Sequence, residues 1–189
     1  MSKLAVVFPG IGYTADKPLL YYSRKIAAEC GYDDIRVIAY TGFPAKILGD
    51  REKMTESYRI ALKQSGEMLA DTDFSSYDEV LFIGKSIGTA VAAQIAAETL
   101  QPVRLLLYTP LEETFLFPIK EALVFTGMAD PWVGQEKSRI PQLCREREIP
   151  CFVFEGANHS LECGDAEKDL RNLQEIMRET KEFIIRKNI

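Results

Sequence analysis

Short apolar runs alternate with stretches of helical period along the whole chain. The runs are Leu4 to Phe8, Ile35 to Tyr40, Val80 to Ile83, Val103 to Tyr108, Ala122 to Phe125 and Pro150 to Phe154. Each is almost continuously apolar rather than alternating, the pattern of strands covered on both faces in a parallel sheet. Between the second and third runs, Met54, Tyr58, Ala61, Leu62, Met68 and Leu69 recur mostly at steps of three and four, which places them on one face of a helix. Leu170, Leu173, Ile176, Met177, Phe183 and Ile184 repeat that pattern near the C-terminus, with Glu and Lys opposite. Pro18 suits the first turn of a helix running to about Cys30, with Gly31 as its stop. Pro141 argues against one unbroken helix from Gly134 to Arg147. The repeated strand-helix order predicts a three-layer α/β sandwich: an open, mainly parallel sheet of about six strands with right-handed crossovers. No linker or internal repeat interrupts it, so residues 1–189 read as a single domain.

Composition narrows the class. With 189 residues and 47% apolar side chains, the chain is long enough to bury a substantial core. Charged residues are 27% of the chain and no stretch is of low complexity, which argues against disorder. The net charge of -5 argues against a nucleic-acid partner, which needs a basic patch. The first apolar run is too short for a signal-peptide core and no stretch approaches the ~20 residues of a membrane span, so a cytoplasmic location with no membrane partner is expected. Cys30, Cys144, Cys151 and Cys163 lack metal-site spacing and read as small buried hydrophobes. There is one histidine, His159. A zinc site built on several His is excluded, and any chemistry needing an imidazole must use this residue.

In open α/β sheets the functional groups sit on loops at the carboxyl ends of strands. After Val80 to Ile83 comes Gly84-Lys85-Ser86-Ile87-Gly88 and then the small-residue helix Thr89 to Ala97. This is G-x-S-x-G in a strand-turn-helix setting, the context of a nucleophile elbow. A turn this tight strains the Ser86 backbone and crowds neighbours two residues away, where Gly84 and Gly88 carry no side chain. It also puts the Ile87 N–H at a helix start, where developing negative charge is favoured. Asp130 follows the fifth run, in Thr126-Gly-Met-Ala-Asp-Pro-Trp132, and His159 follows the sixth, in Glu155-Gly-Ala-Asn-His-Ser-Leu161. The order Ser, Asp, His on three strand exits is that of an α/β-hydrolase.

On these residues the chain resembles the α/β-hydrolase superfamily over nearly its whole length, and within it the small lidless serine hydrolases similar to dienelactone hydrolases. The resemblance implies Ser86 as nucleophile, His159 as general base and Asp130 as the residue that orients it. It implies an oxyanion hole made by the N–H of Ile87 and one from the loop Pro9-Gly10-Ile11-Gly12-Tyr13, assigned to Ile11, with Gly10 and Gly12 allowing close approach to substrate. The expected substrate is a small ester or thioester, with no cofactor and no metal. Several features depart from the family pattern. The loop after the first strand lacks the His-Gly or Gly-Gly-Gly signature of many esterases, and two N-terminal strands of larger members are missing. Dienelactone hydrolases carry Cys where this chain has Ser86. The segment Thr109 to Glu121 is too short for a cap domain, so a shallow site is expected.

Each feature also has an ordinary reading. A solvated charge is the usual role of a residue like Lys85; the sharper one is attraction of an anionic substrate group. Trp132 and Phe8 suit packing, although Trp132 is also a candidate substrate contact. Glu112, Glu113 and Phe115 lie where a lid would sit and are candidates to line the pocket. Cys163, four residues after His159, reads as packing. A P-loop is excluded because Glu79 stands where its first Gly is required. The alternative to an enzyme is an inactive scaffold of the same fold that binds a small acyl ligand or a protein partner. The natural substrate and the oligomeric state cannot be read from the sequence.

Overall fold

The computed structural model describes residues 2–132 and 138–186. Six parallel strands, β1 (Lys3–Phe8), β2 (Asp34–Val37), β3 (Glu79–Lys85), β4 (Val103–Tyr108), β5 (Glu121–Gly127) and β6 (Cys151–Phe154), form one open sheet in the order β2-β1-β3-β4-β5-β6. The helices are α1 (Pro18–Glu29), α2 (Arg51–Leu69), α3 (Ile87–Glu98), α4 (Ile140–Arg145) and α5 (Ala166–Ile185).

Two apolar layers hold the sandwich together. One face of the sheet, including Val6, Phe82, Leu105 and Val124, packs on α2, α3 and α4 through Ala61, Val91, Ala92 and Ile140. The other, including Val7, Ile83, Leu106 and Phe125, packs on α1 and α5 through Leu20, Ala27, Ile176 and Phe183. Because both faces are covered, polar alternation in the strands would bury unpaired groups, which explains the continuous apolar runs.

Local signals set the helix ends. Pro18 opens α1, and Gly31 follows its end at φ +87°. Asp50 caps α2 by accepting the Lys53 N–H at 3.0 Å, and Asp165 caps α5 by accepting that of Lys168 at 2.9 Å. Pro141 sits in the first turn of a helix only six residues long. Gly134 to Lys137 of the interrupted segment lie outside the described residues.

The second strand is shorter than its apolar run. After Ile38 donates to the Val7 carbonyl at 2.9 Å, the chain leaves the sheet edge. Thr41 instead exchanges two hydrogen bonds with the Gln64 side chain on α2, at 3.0 and 2.9 Å. Among the described residues no helix is long and apolar enough to cross a membrane. Only Cys144 of the four free cysteines is fully buried; Cys30, Cys151 and Cys163 are half-buried, which corrects the reading of all four as core residues.

Candidate active site

Ser86 stands between β3 and α3 at φ +56° and ψ -125°, a conformation that costs free energy for any residue with a Cβ. Neighbouring bonds hold it there. Its N–H donates to the Tyr108 carbonyl at 3.0 Å, and its own carbonyl accepts the Thr89 N–H at 2.8 Å and hydroxyl at 2.6 Å. A Cβ on Gly84 would lie 2.8 Å from Thr89 Cα, and one on Gly88 would lie 2.1 Å from the Phe8 carbonyl oxygen. The second glycine is therefore required by the end of β1 rather than by the elbow alone. The Ile87 N–H, in the first turn of α3, has no acceptor within that helix.

The loop after β1 closes against the elbow. Gly10 and Tyr13 exchange backbone hydrogen bonds at 3.2 Å, which leaves Ile11 and Gly12 at the tip. A Cβ on Gly10 would meet Ser86 Cβ at 3.1 Å, so this glycine makes the close approach expected of the loop. Gly12 does not: it has open space around it and serves a φ of +71° instead.

Asp130 and His159 meet on adjacent strand exits. His159 Nδ1 and Asp130 Oδ2 are 2.6 Å apart, with the Asp130 side chain completely buried and that of His159 19% exposed. With Nδ1–H donating to the carboxylate, Nε2 is left as the proton acceptor. It is buried and has no hydrogen-bond partner among the described residues. Asp130 Oδ1 accepts the Trp132 N–H at 2.9 Å, and the Trp132 ring stands 5.6 Å from the imidazole, centroid to centroid. Burial pushes the His159 pKa below its ordinary value of 6.5; the bond to Asp130 opposes this, and the positive charge of Lys85 adds to it.

Two positions that support this pair are not obvious in the sequence. A Cβ on Gly127 would lie 2.2 Å from the Ala157 carbonyl oxygen, so only glycine lets the Asp130 and His159 loops cross. Asn158 Oδ1 accepts the Ser160 N–H at 2.7 Å and shapes the turn after His159. The His159 carbonyl accepts the Thr109 hydroxyl at 3.2 Å, and this ties its loop to the end of β4, beside the strand that carries Ser86.

Lys85 departs most from its ordinary reading. It is not a solvated charge: it is 0% exposed, its ammonium lies 4.9 Å from the centre of the Tyr13 ring, and it finds no hydrogen-bond acceptor among the described residues. Burial pulls its pKa down to about 7.

A cavity of about 260 Å³ lies beside Ile87, lined by Met54, Tyr58, Ala90, Leu111 and Phe117 among others. It shares Arg51, Met54, Leu111 and Glu113 with an open groove of about 580 Å³ that reaches Trp132. Glu113 thus lines both. Phe115 is buried in the core, and Glu112 is paired with Arg139 at 3.2 Å. Phe8 packs on Phe82, and the Cys163 sulfur engages Asn172 and the Glu155 carbonyl. Among the described residues no group of three or more His, Cys, Asp or Glu could hold a metal ion.

No family model and no curated protein matches the chain. Solved structures do. The chain is similar to a protein of the alpha/beta superfamily from Xanthomonas campestris, provisionally named a hydrolase, with 14% identity and a TM-score of 0.66 over 97% of this chain and 98% of that one. It is similar to an esterase from Pyrococcus furiosus, with 13% identity and a TM-score of 0.64 over 97% and 82% of the two chains. It is also similar to an alpha-beta serine hydrolase homologue from Coxiella burnetii, with 16% identity and a TM-score of 0.54 over 94% and 84%. At these identities the likeness concerns the fold alone, an open six-stranded α/β sheet like theirs, with no cap domain among the described residues.

Proposed function

We propose that the protein is a serine hydrolase that cleaves a small ester or thioester through an acyl-enzyme intermediate. The observation that carries this reading is the 2.6 Å contact between His159 Nδ1 and buried Asp130 on the exits of β6 and β5, with a serine held at positive φ on the exit of β3. Ser86 Oγ attacks the substrate carbonyl carbon while His159 Nε2 takes the hydroxyl proton. Asp130 holds the Nδ1–H tautomer and stabilises the imidazolium. The N–H groups of Ile87 and Ile11 bind the oxyanion, each donor worth roughly 3 kcal/mol. Collapse of the tetrahedral intermediate breaks the bond to the leaving alcohol or thiol, which receives the imidazolium proton. Water, activated by the same imidazole, then attacks the acyl carbon and frees Ser86. The cavity beside Ile87 is the place for the acyl group, and the groove at Trp132 takes the leaving group.

A fluorophosphonate probe tests this directly. It should label Ser86 in the folded protein and fail to label Ser86→Ala. The second reading is a scaffold that binds an acyl ligand without turning it over, and the absence of a partner on His159 Nε2 favours it. A missing bond between nucleophile and base is also usual in unliganded enzymes, where the catalytic contact tightens when substrate binds. An unlabelled Ser86 would decide for the scaffold.

A further inference from the structure

A lysine buried without an acceptor is costly, because the ammonium loses its water and gains no hydrogen bond in return. Lys85 is such a residue, one position before the proposed nucleophile. It belongs to a row of paired strand positions, Lys85, Tyr108, Phe125 and Phe152, on the face covered by α1 and α5. The loop after β1 seals it in: a Cβ on Gly10 would touch Lys85 Cγ at 3.5 Å, and the Tyr13 ring lies against the ammonium. An aromatic face partly replaces lost water for a cation.

Resting on the hydrolase reading, we propose that Lys85 is a positioning residue: a buried ammonium that balances the Asp130 carboxylate and keeps His159 in its neutral, proton-accepting form. The charge count supports this. Asp130 is fully buried, and its two oxygens accept from Trp132 N–H and His159 Nδ1, neither of which carries a formal charge while the imidazole is neutral. Lys85 supplies the opposite charge, and its attraction to Asp130 favours its own protonated form. The same charge repels a second proton on His159, the direction seen in the lowered imidazole pKa. The other ionisable groups around Lys85 change little in this range. Tyr13 is pushed up to about 12 and accepts the Leu19 N–H at 3.2 Å, so it stays neutral. Tyr108, bonded to Ser23 and Thr180, is pushed up further. Lys17 lies 5.2 Å from the Tyr13 ring and adds positive charge that opposes protonation of Lys85.

The single histidine makes the test unambiguous. Its Cε1–H resonance is titrated by proton NMR in wild type, Lys85→Met and Lys85→Gln, with no substrate present. The His159 midpoint should lie below 6.5 in wild type and rise by roughly half a pH unit or more in both variants. An unchanged or lower midpoint in a folded variant overturns the proposal, since a purely structural lysine would alter stability and leave the titration where it was. Should neither variant fold, lysine labelled with ¹³C at Cε in the wild type decides. A Lys85 resonance still protonated at the His159 midpoint supports the buried ammonium, and one already deprotonated there overturns it. Hydrolysis is measured separately: the acid limb of kcat/KM in Lys85→Met should move upward with the NMR midpoint. A protein with no turnover but a shifted midpoint would refute the hydrolase reading and leave the electrostatic one standing.

Discussion

Two buried cations lie on the same face of the sheet and differ in what surrounds them. Arg104, near the start of β4, reaches Glu121 at 2.7 Å and the Ile184 carbonyl at 3.1 Å, and also bonds the Phe183 carbonyl. It fastens the last turn of α5 to the sheet. Lys85, at the end of β3, has the Tyr13 ring beside it but no acceptor among the described residues. The amino end of the sheet satisfies its buried charge, while the carboxyl end leaves Lys85 Nζ, His159 Nε2 and Thr126 Oγ1 without partners and holds Ser86 and Thr109 at positive φ. Three of the four unpartnered buried side-chain atoms among the described residues lie at this end, the fourth being Arg24 Nε on α1, and their cost is borne by the well-packed remainder.

The sharpest way to break this contrast is at the carboxyl end itself. Ser86→Ala and His159→Ala should each lower turnover of an activated short-chain ester by at least about 10³-fold while leaving the unfolding transition intact. Near-normal rates in either variant would remove the site from that end of the sheet. Gly88→Ala should be the most damaging to stability, by about 3 kcal/mol or more, because its Cβ would fall on the Phe8 carbonyl. Denaturant unfolding measures this, and a variant as stable as wild type would mean that β1 and the elbow do not meet.

The two cations can then be compared directly. Arg104→Met should cost roughly 3 kcal/mol by orphaning Glu121 and two carbonyls, with turnover unchanged. Lys85→Met should cost less than Arg104→Met, since it breaks no hydrogen bond and Asp130 keeps its bonds to Trp132 and His159. The pH dependence carries the same distinction. With its pKa at about 7 against 10.5 for an ordinary lysine, Lys85 binds a proton in the unfolded chain, but not in the folded one, between those values. Wild-type stability should therefore rise with pH across that window, and this contribution should vanish in Lys85→Met. Equal behaviour of the two variants would erase the contrast. The smallest effect concerns substrate length: with about 260 Å³ beside Ile87, acetate and butyrate esters should be preferred over decanoate by about tenfold. A decanoate optimum would point to a longer binding surface.

Much of the architecture was legible because burial on both faces leaves a simple trace. Val103 to Tyr108 is one apolar run and one strand with the same bounds. Ile35 to Tyr40 overran the strand because an edge strand ends where its partners end, and Gln64 on a distant helix is invisible to local patterning. In the candidate site, the G-x-S-x-G spacing and the order Ser86, Asp130, His159 pointed to residues on the exits of β3, β5 and β6, at the carboxyl end of the sheet. The meeting of Asp130 and His159 rests on Gly127 and Asn158, whose roles depend on how two loops cross.

The parallel sheet, the three strand exits and the single imidazole were legible in the amino-acid pattern, because apolar periodicity and residue identity are local properties. Whether Lys85 faces water depends on the assembled fold. A charge next to a turn is ordinarily solvated, and nothing within the elbow says otherwise. Its surroundings come from β4, β5 and the Tyr13 loop, so its burial is a property of the assembled sheet.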